Sequence, residues 1–278
     1  MELALAAIFG LVVGSFLNVC IVRIPAGLSI SLPRSHCPRC KKPIAPYDNI
    51  PILSYLILGG KCRHCKAGIA FRYPLVEGLT GVVSALLYQQ FGLSLQWGIY
   101  LVFSAALIVL AFVDIDHRIL PDPITRNGIW IGLVVSVAMT RPDSFAFRVM
   151  RWVGAEGVNP RVLAGVGSVL GIIAGGGLLW LVGEVFFRVR GIEGMGFGDV
   201  KMMAMVGAFL GAPLTLLTIM IGSLLGSVVG VALMKFQGKT REYELPFGTF
   251  LGAAGIVAVL YGDALIGFYI THFMRFGQ

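Results

Sequence analysis

Residues 95–122 read LQWGIYLVFSAALIVLAFVDIDHRILPD, and this stretch decides the fold. Its first nineteen residues carry no charge. As a helix they would extend about 28 Å, close to the hydrocarbon thickness of a bilayer. The run then stops on Asp114-Ile115-Asp116-His117-Arg118, where a span would leave lipid. The apolar half of the stretch predicts a membrane protein, and the acids at its end predict chemistry at the membrane edge.

Working outward, comparable apolar runs occupy Leu3–Val22, Pro74–Phe91, Leu95–Val113, Gly128–Thr140, Val162–Phe187, Val200–Ala212, Leu214–Met234 and Gly248–Ile270. The expected fold is an all-α polytopic membrane protein of about eight transmembrane helices with a small cytoplasmic zinc-binding loop domain. The fourth and sixth runs are short, and Gly211-Ala212-Pro213 marks a tight turn between the sixth and seventh. Composition agrees. Of 278 residues, 57% are hydrophobic and 13% charged, against about 25% charged in an ordinary soluble domain. The mean hydropathy is +0.86. Too little charge remains to wet a globular surface, so a soluble enzyme is excluded. The first run reads as a retained span rather than a cleaved signal peptide, because Glu2 is acidic and no cleavage site precedes Arg23 and Pro25.

Arginine and lysine set the orientation. Between Arg23 and Arg72 there are nine of them (Arg23, Arg34, Arg39, Lys41, Lys42, Lys61, Arg63, Lys66, Arg72) against one acid, Asp48. That loop is expected in the cytoplasm, with the N-terminus outside. The eight-span count then puts 17 basic residues inside, through Arg118, Arg126, Arg188, Arg190, Lys201, Lys235, Lys239 and Arg241, and five outside, at Arg141, Arg148, Arg151, Arg161 and Arg275. The net charge of +8 describes a basic face on anionic lipid, with no nucleic-acid partner.

The same loop holds Cys37-Pro38-Arg39-Cys40 and, after 21 intervening residues, Cys62-Arg63-His64-Cys65. Two such knuckles have the spacing of a closed four-thiolate zinc site. Flanking Arg39, Lys41, Lys61, Arg63 and Lys66 would favour thiolates. The loop is too polar to form its own core, so a structural metal would supply its folding energy. Two disulfides or a redox pair are the competing readings, and a cytoplasmic location disfavours stable disulfides. His36 and His64 are not needed as ligands, and Cys20 reads as a packed thiol.

Acids are few, so their positions inform. Asp114, Asp116 and Asp122 cluster where the third span ends. Asp199 follows Gly194-Met195-Gly196-Phe197-Gly198 and precedes Lys201, where the sixth span begins. The topology puts both clusters at the cytoplasmic boundary, which allows Asp114 and Asp199 to share one water as an aspartic dyad. Helix dipoles would keep the proton on Asp114 and make Asp199 the base. Gly194, Gly196 and Gly198 are expected to admit a bound peptide and to adopt positive φ. Asp116 and Asp122 read as a solvated helix boundary partnered by Arg118. Glu184 should pair with Arg188 one turn on. Asp263 should reach the outer interface, and Glu77 is expected at a helix N-terminus or in a polar role near the site. Met195, Met202, Met203 and Met205 read as packing or lipid-facing residues.

These motifs together resemble the type IV prepilin peptidase family, bifunctional leader peptidase/N-methyltransferases of the GxGD-type aspartic membrane proteases. Gly14-Ser15-Phe16-Leu17-Asn18-Val19 with Arg23-Ile24-Pro25 resembles the family's N-terminal signature. The two cysteine knuckles, Asn49-Ile50-Pro51-Ile52-Leu53-Ser54-Tyr55 and Arg72-Tyr73-Pro74-Leu75-Val76-Glu77 resemble its loop. Asp114-Ile115-Asp116 and Gly196-Phe197-Gly198-Asp199-Val200-Lys201 resemble its aspartate motifs. The resemblance implies cleavage of prepilin or pseudopilin leaders after a glycine, at the inner face of the bacterial inner membrane. It further implies N-methylation of the new terminus with S-adenosylmethionine. Asp114 and Asp199 are then catalytic, Gly196, Gly198 and Lys201 form the active-site loop, and Cys37, Cys40, Cys62 and Cys65 hold zinc. The expected division is a first helix at 1–22, a methyltransferase-associated zinc loop at 23–73 and a peptidase domain at 74–278. No sequence motif marks the methyl donor's site. An ion-coupled transporter, a zinc scaffold and a presenilin-like protease are the alternatives; the first would need acids in mid-span, and the others leave either the Gly-rich aspartate motif or the zinc loop unexplained.

Overall fold

The structure is a computed structural model and describes residues 1–140, 157–192, 194–237 and 245–273. Arg141, Arg148, Arg151, Lys239, Arg241 and Arg275, used above for orientation, lie outside these residues. Each predicted apolar run falls on a helix. These are α1 (Glu2–Arg23), α3 (Arg72–Phe91), α4 (Leu95–His117), α5 (Asp122–Ala138), α6 (Pro160–Arg190), α7 (Phe197–Leu210), α8 (Ala212–Gln237) and α9 (Phe247–Phe273). A short α2 (Leu53–Ile57) lies in the loop after α1. Among the described residues there is no strand, only the isolated bridges His36–Pro43 and Lys61–Gly68.

Among the described residues, five helices, α1, α4, α6, α8 and α9, are long and apolar enough to cross a membrane. The others depart from the predicted limits. Helix α3 starts at Arg72, two residues before the apolar run, because Pro74 fits the first turn of a helix. Helix α5 starts at Asp122 rather than Gly128, with Pro123 in its first turn. Helix α6 is not uniform: Ile173–Gly177 winds as a π-helix through three consecutive glycines. Gly211, at φ 75°, closes α7 and leads directly into α8, the tight turn expected there.

The chain forms two compact units, 1–117 and 118–278. In the first, α1 packs on α3 and both touch α4. Gly10 and Gly14, one turn apart on α1, meet Ser84, Thr80 and Glu77 of α3, and a Cβ at either glycine would collide with that helix. Small residues at this spacing let backbones approach where lipid supplies no hydrophobic drive. The close approach permits interhelical hydrogen bonds: the Ser84 hydroxyl donates to the Ala6 carbonyl at 2.6 Å, and Asn18 Nδ2 donates to the Tyr73 carbonyl at 3.1 Å.

In the second unit α7 is the centre. Its Met202, Met203, Met205 and Val206 are fully buried, so these methionines pack rather than face lipid. Gly128 and Gly132 of α5 accommodate Met205 and Phe209, and the glycine face of α6 abuts the α7 backbone. Gly171 and Gly207 are so close that a Cβ on either would overlap the other's carbonyl. The Ser168 hydroxyl donates to the Ala208 carbonyl at 2.9 Å beside them. Neither backbone can withdraw cheaply, so Gly207→Leu should lower stability by about 3 kcal/mol or more. Denaturant unfolding in detergent micelles checks this, and wild-type stability would contradict the packing.

Candidate active site

The loop between α1 and α3 has almost no apolar core; of the hydrophobic residues in 24–71, only Cys37 is buried. Its two knuckles repeat one backbone design. Cys37 N–H donates to the Lys42 carbonyl and Lys41 N–H back to Cys37; Cys62 N–H donates to Ala67 and Lys66 N–H to Cys62. Lys41 and Lys66 take the equivalent left-handed φ of 59° and 57°. The result brings one sulfur each from Cys37, Cys40, Cys62 and Cys65 within 4.8 Å of one another. Cys37 and Cys65 sulfurs are 3.8 Å apart. The edge of a tetrahedron with bonds of about 2.3 Å to zinc is about 3.8 Å, whereas a disulfide needs about 2.0 Å. All five cysteines are free thiols, and Cys20 is buried apart from the cluster.

The local field fits a cation. The N–H groups of Cys40 and Arg39 hold the Cys37 thiol down at about 6, and those of Cys65 and His64 lower Cys62. Cys65 has the Ala67 N–H in its favour, yet desolvation and the sulfurs of Cys62, Cys37 and Cys40 drive it up to about 11. Four sulfurs this close cannot all shed protons unaided, and a divalent ion removes the conflict. Backbone N–H groups stabilise the thiolates here, whereas the sequence pointed to flanking cationic side chains. Arg63 turns away, gripping Asp48 through Nε and Nη2 with contacts of 2.6–3.1 Å and lying over the Tyr47 ring.

Glu77 anchors the same loop to α3. Its Oε2 accepts the Ile52 N–H at 2.8 Å, and Ser15 also hydrogen-bonds to it. Ile52 has φ 60°, a strained conformation for a β-branched residue that persists only where its surroundings enforce it. Below this contact is a cavity of about 900 Å³ within the first unit, lined by Ser15, Asn18, Arg72 and Glu77 and by residues of the loop. Its polar groups are incompletely matched. Asn18 Oδ1 and Arg72 Nε are buried without a hydrogen-bond partner among the described residues. Three acids line it: Asp48 is paired with Arg63 and Asp116 with Arg72, while Glu77 has no ion-pair partner among the described residues. In the sequence Asn18 stood out only within a motif and Arg72 only within a motif and as one of the loop's cations; the usable signal was a polar Asn in an otherwise apolar span.

Asp114 lies in the last turn of α4 and is 6% exposed; Asp199 lies in the first turn of α7 and is 9% exposed. Each is thus a buried carboxylate at the helix end that the sequence predicted. The glycine expectation needs correction. None of Gly194, Gly196 and Gly198 has positive φ; Gly196 is an extended cap at φ −69°, ψ 137°. Space is the reason for two of them, since a Cβ at Gly194 would strike the Phe186 ring and one at Gly198 would press on Leu120. The boundary acids also reach cations beyond the Arg118 that the sequence suggested: Asp116 pairs with Arg72 and Asp122 with Lys201. Lys201 further sits over the Phe197 ring at 5.4 Å. The Glu184–Arg188 pair forms as expected, at 2.8 Å on an exposed face, and Asp263 is exposed.

Two family models match successive stretches of the chain. Residues 8–91 match the bacterial peptidase A24 N-terminal domain, and residues 101–231 match the type IV leader peptidase family. A prepilin leader peptidase/N-methyltransferase of Stutzerimonas stutzeri is 36% identical over 288 aligned residues, covering 95% of this chain and 92% of that protein. The protein so named in Pseudomonas aeruginosa is 35% identical, covering 95% and 91%. That of Legionella pneumophila is 33% identical, covering 96% and 94%. No solved structure matches the chain.

Proposed function

The chain belongs to the type IV leader peptidase family, and from that membership we propose that it removes the basic leader of prepilins or pseudopilins and then N-methylates the exposed residue. The observation that carries this reading is the likeness to leader peptidase/N-methyltransferases over 95% of the chain. Asp114 and Asp199 form the peptidase dyad. One carboxylate takes a proton from water while the other, protonated, polarises the scissile carbonyl; the tetrahedral species collapses as the leaving amine is protonated. Burial of both acids supports this, because desolvated paired carboxylates share a single proton. Gly196, Gly198 and Lys201 shape the entry to Asp199. An ion relay is not favoured, since both acids sit at helix ends.

The remaining assignments follow the topology. Eight spans, with the N-terminus outside, put loop 23–73 and both acids at the cytoplasmic face of the inner membrane, while residues 74–278 carry the peptidase. A prepilin then keeps its apolar helix in lipid as its leader meets the dyad. Cys37, Cys40, Cys62 and Cys65 hold a structural zinc, as the sulfur spacing supports. S-adenosylmethionine, when bound, supplies a methyl group on a sulfonium for transfer to an amine.

Purified full-length protein should convert a membrane-embedded prepilin to a product lacking its leader and, with S-adenosylmethionine present, heavier by one methyl group. Mass spectrometry reads both changes. An intact substrate after prolonged incubation would overturn the peptidase reading.

A further inference from the structure

We propose that the cavity between α1, α3 and the zinc loop is the binding site for the sulfonium methyl donor, with Glu77, Asn18 and Arg72 as its polar contacts. This rests on the methyltransferase reading and adds the location, which neither the motifs nor the family matches supply. Three observations within the first unit carry it.

The first is size. About 900 Å³ lies in the range of pockets that enclose a nucleoside-sized ligand. The second is the uncompensated polar set. Buried side-chain atoms without partners are rare, yet Asn18 Oδ1 and Arg72 Nε both occur in the lining of one cavity. Neither atom is exposed to the cavity surface, so an amino-acid moiety engages them as the two side chains turn toward it, its ammonium donating to Asn18 and its carboxylate accepting from Arg72. The third is charge. Basic residues dominate the loop, and the two other acids in the lining are ion-paired. Glu77 is 8% exposed and receives only neutral donors, the Ile52 N–H and Ser15. A buried carboxylate that no salt bridge reaches favours a cation held in direct contact, and a sulfonium is a cation that cannot be hydrated by donating hydrogen bonds.

The position also suits the order of events. Asp116 lines the cavity through its pair with Arg72, and Asp114 precedes it by two residues on α4. Residues two apart on a helix do not share a face, so an amine released at Asp114 passes around the end of α4 to reach a donor held here. In the transfer, the amine nitrogen's lone pair forms the new C–N bond as the C–S bond breaks. Sulfur keeps that electron pair as a neutral thioether, and the amine's surplus proton leaves to solvent.

Zinc-loaded full-length protein in nanodiscs, titrated with radiolabelled S-adenosylmethionine and with S-adenosylhomocysteine, tests the assignment. Glu77→Gln should raise the Kd of the charged donor about tenfold or more while shifting the thioether product less than about threefold. Asn18→Leu should weaken both. Because either variant could misfold, ultraviolet cross-linking of labelled donor to wild type supplies a second measurement. Label in peptides spanning 15–23 or 72–77 supports the site. Label confined to other segments, or unchanged Kd values in both folded variants, would overturn it. No donor binding by wild type would instead overturn the methyltransferase reading beneath it.

Discussion

Asp199→Asn should reduce prepilin cleavage by about 10²- to 10⁴-fold, the range expected when a positioned acid–base group is lost. The substitution keeps shape and one hydrogen-bonding oxygen, so α7 should stay folded around its buried methionines. Asp114→Asn should cause a loss of the same order, because a dyad with one carboxylate can neither share a proton nor alternate between acid and base. Asp116→Asn discriminates. Asp116 pairs with Arg72 and is partly exposed, so its loss removes a partly solvated ion pair and should cost less than about tenfold. Single-turnover processing of one prepilin by the three variants reads the difference. If Asp116→Asn matched Asp114→Asn, the first acid of the motif would not be the one that acts. Methylation of a peptide supplied already cut should survive in Asp199→Asn, separating chemistry at the two sites.

The second large effect concerns metal. Stripping zinc, or Cys62→Ser, should unfold the loop between α1 and α3 while the helices remain. A closed thiolate site binds zinc with roughly 10–16 kcal/mol in small domains, and this loop has no buried apolar cluster to replace that energy. The Arg63–Asp48 pair is exposed on the Arg63 side and cannot hold the loop alone. Limited proteolysis should switch from resistance to cutting within 24–71, and elemental analysis should follow the loss of about one zinc per chain. Methyl transfer should disappear with it, since the loop forms one wall of the cavity. Leader cleavage should fall much less. A metal-free loop as protease-resistant as the zinc-loaded one would contradict a structural role.

Much of the architecture was readable from residues 95–122 and runs like them. Hydropathy is a property of consecutive residues, and a backbone in lipid must close its own hydrogen bonds, so long apolar runs become helices without reference to neighbours. The helix starts were less readable. Arg72 and Asp122 precede the apolar runs, and the Pro that follows each fits a first turn, a detail outside any hydropathy count. The π-helical stretch at Ile173–Gly177 was not legible either; Gly175 and Gly176 within it mark space for α7, which only packing reveals.

The candidate sites divide in the same way. Cysteine spacing announced a four-sulfur cluster because each knuckle is a local turn that holds two ligands. The sequence also singled out Asp114 and Asp199, as acids at the ends of apolar runs are costly enough to be conspicuous. Pairings between distant segments were missed: Asp116 joins Arg72 44 residues away, and Asp122 joins Lys201 79 residues away, where proximity in sequence had suggested Arg118. Asn18 reaches the Tyr73 carbonyl across 55 residues because Gly10 and Gly14 bring α1 and α3 into contact. Composition and spacing therefore determined the helices, the four-cysteine cluster and the two boundary acids, each defined within a short stretch. The cavity of Asn18, Arg72 and Glu77 was decided by tertiary structure alone, since uncompensated polarity is a relation among remote side chains that exists only after the helices have packed.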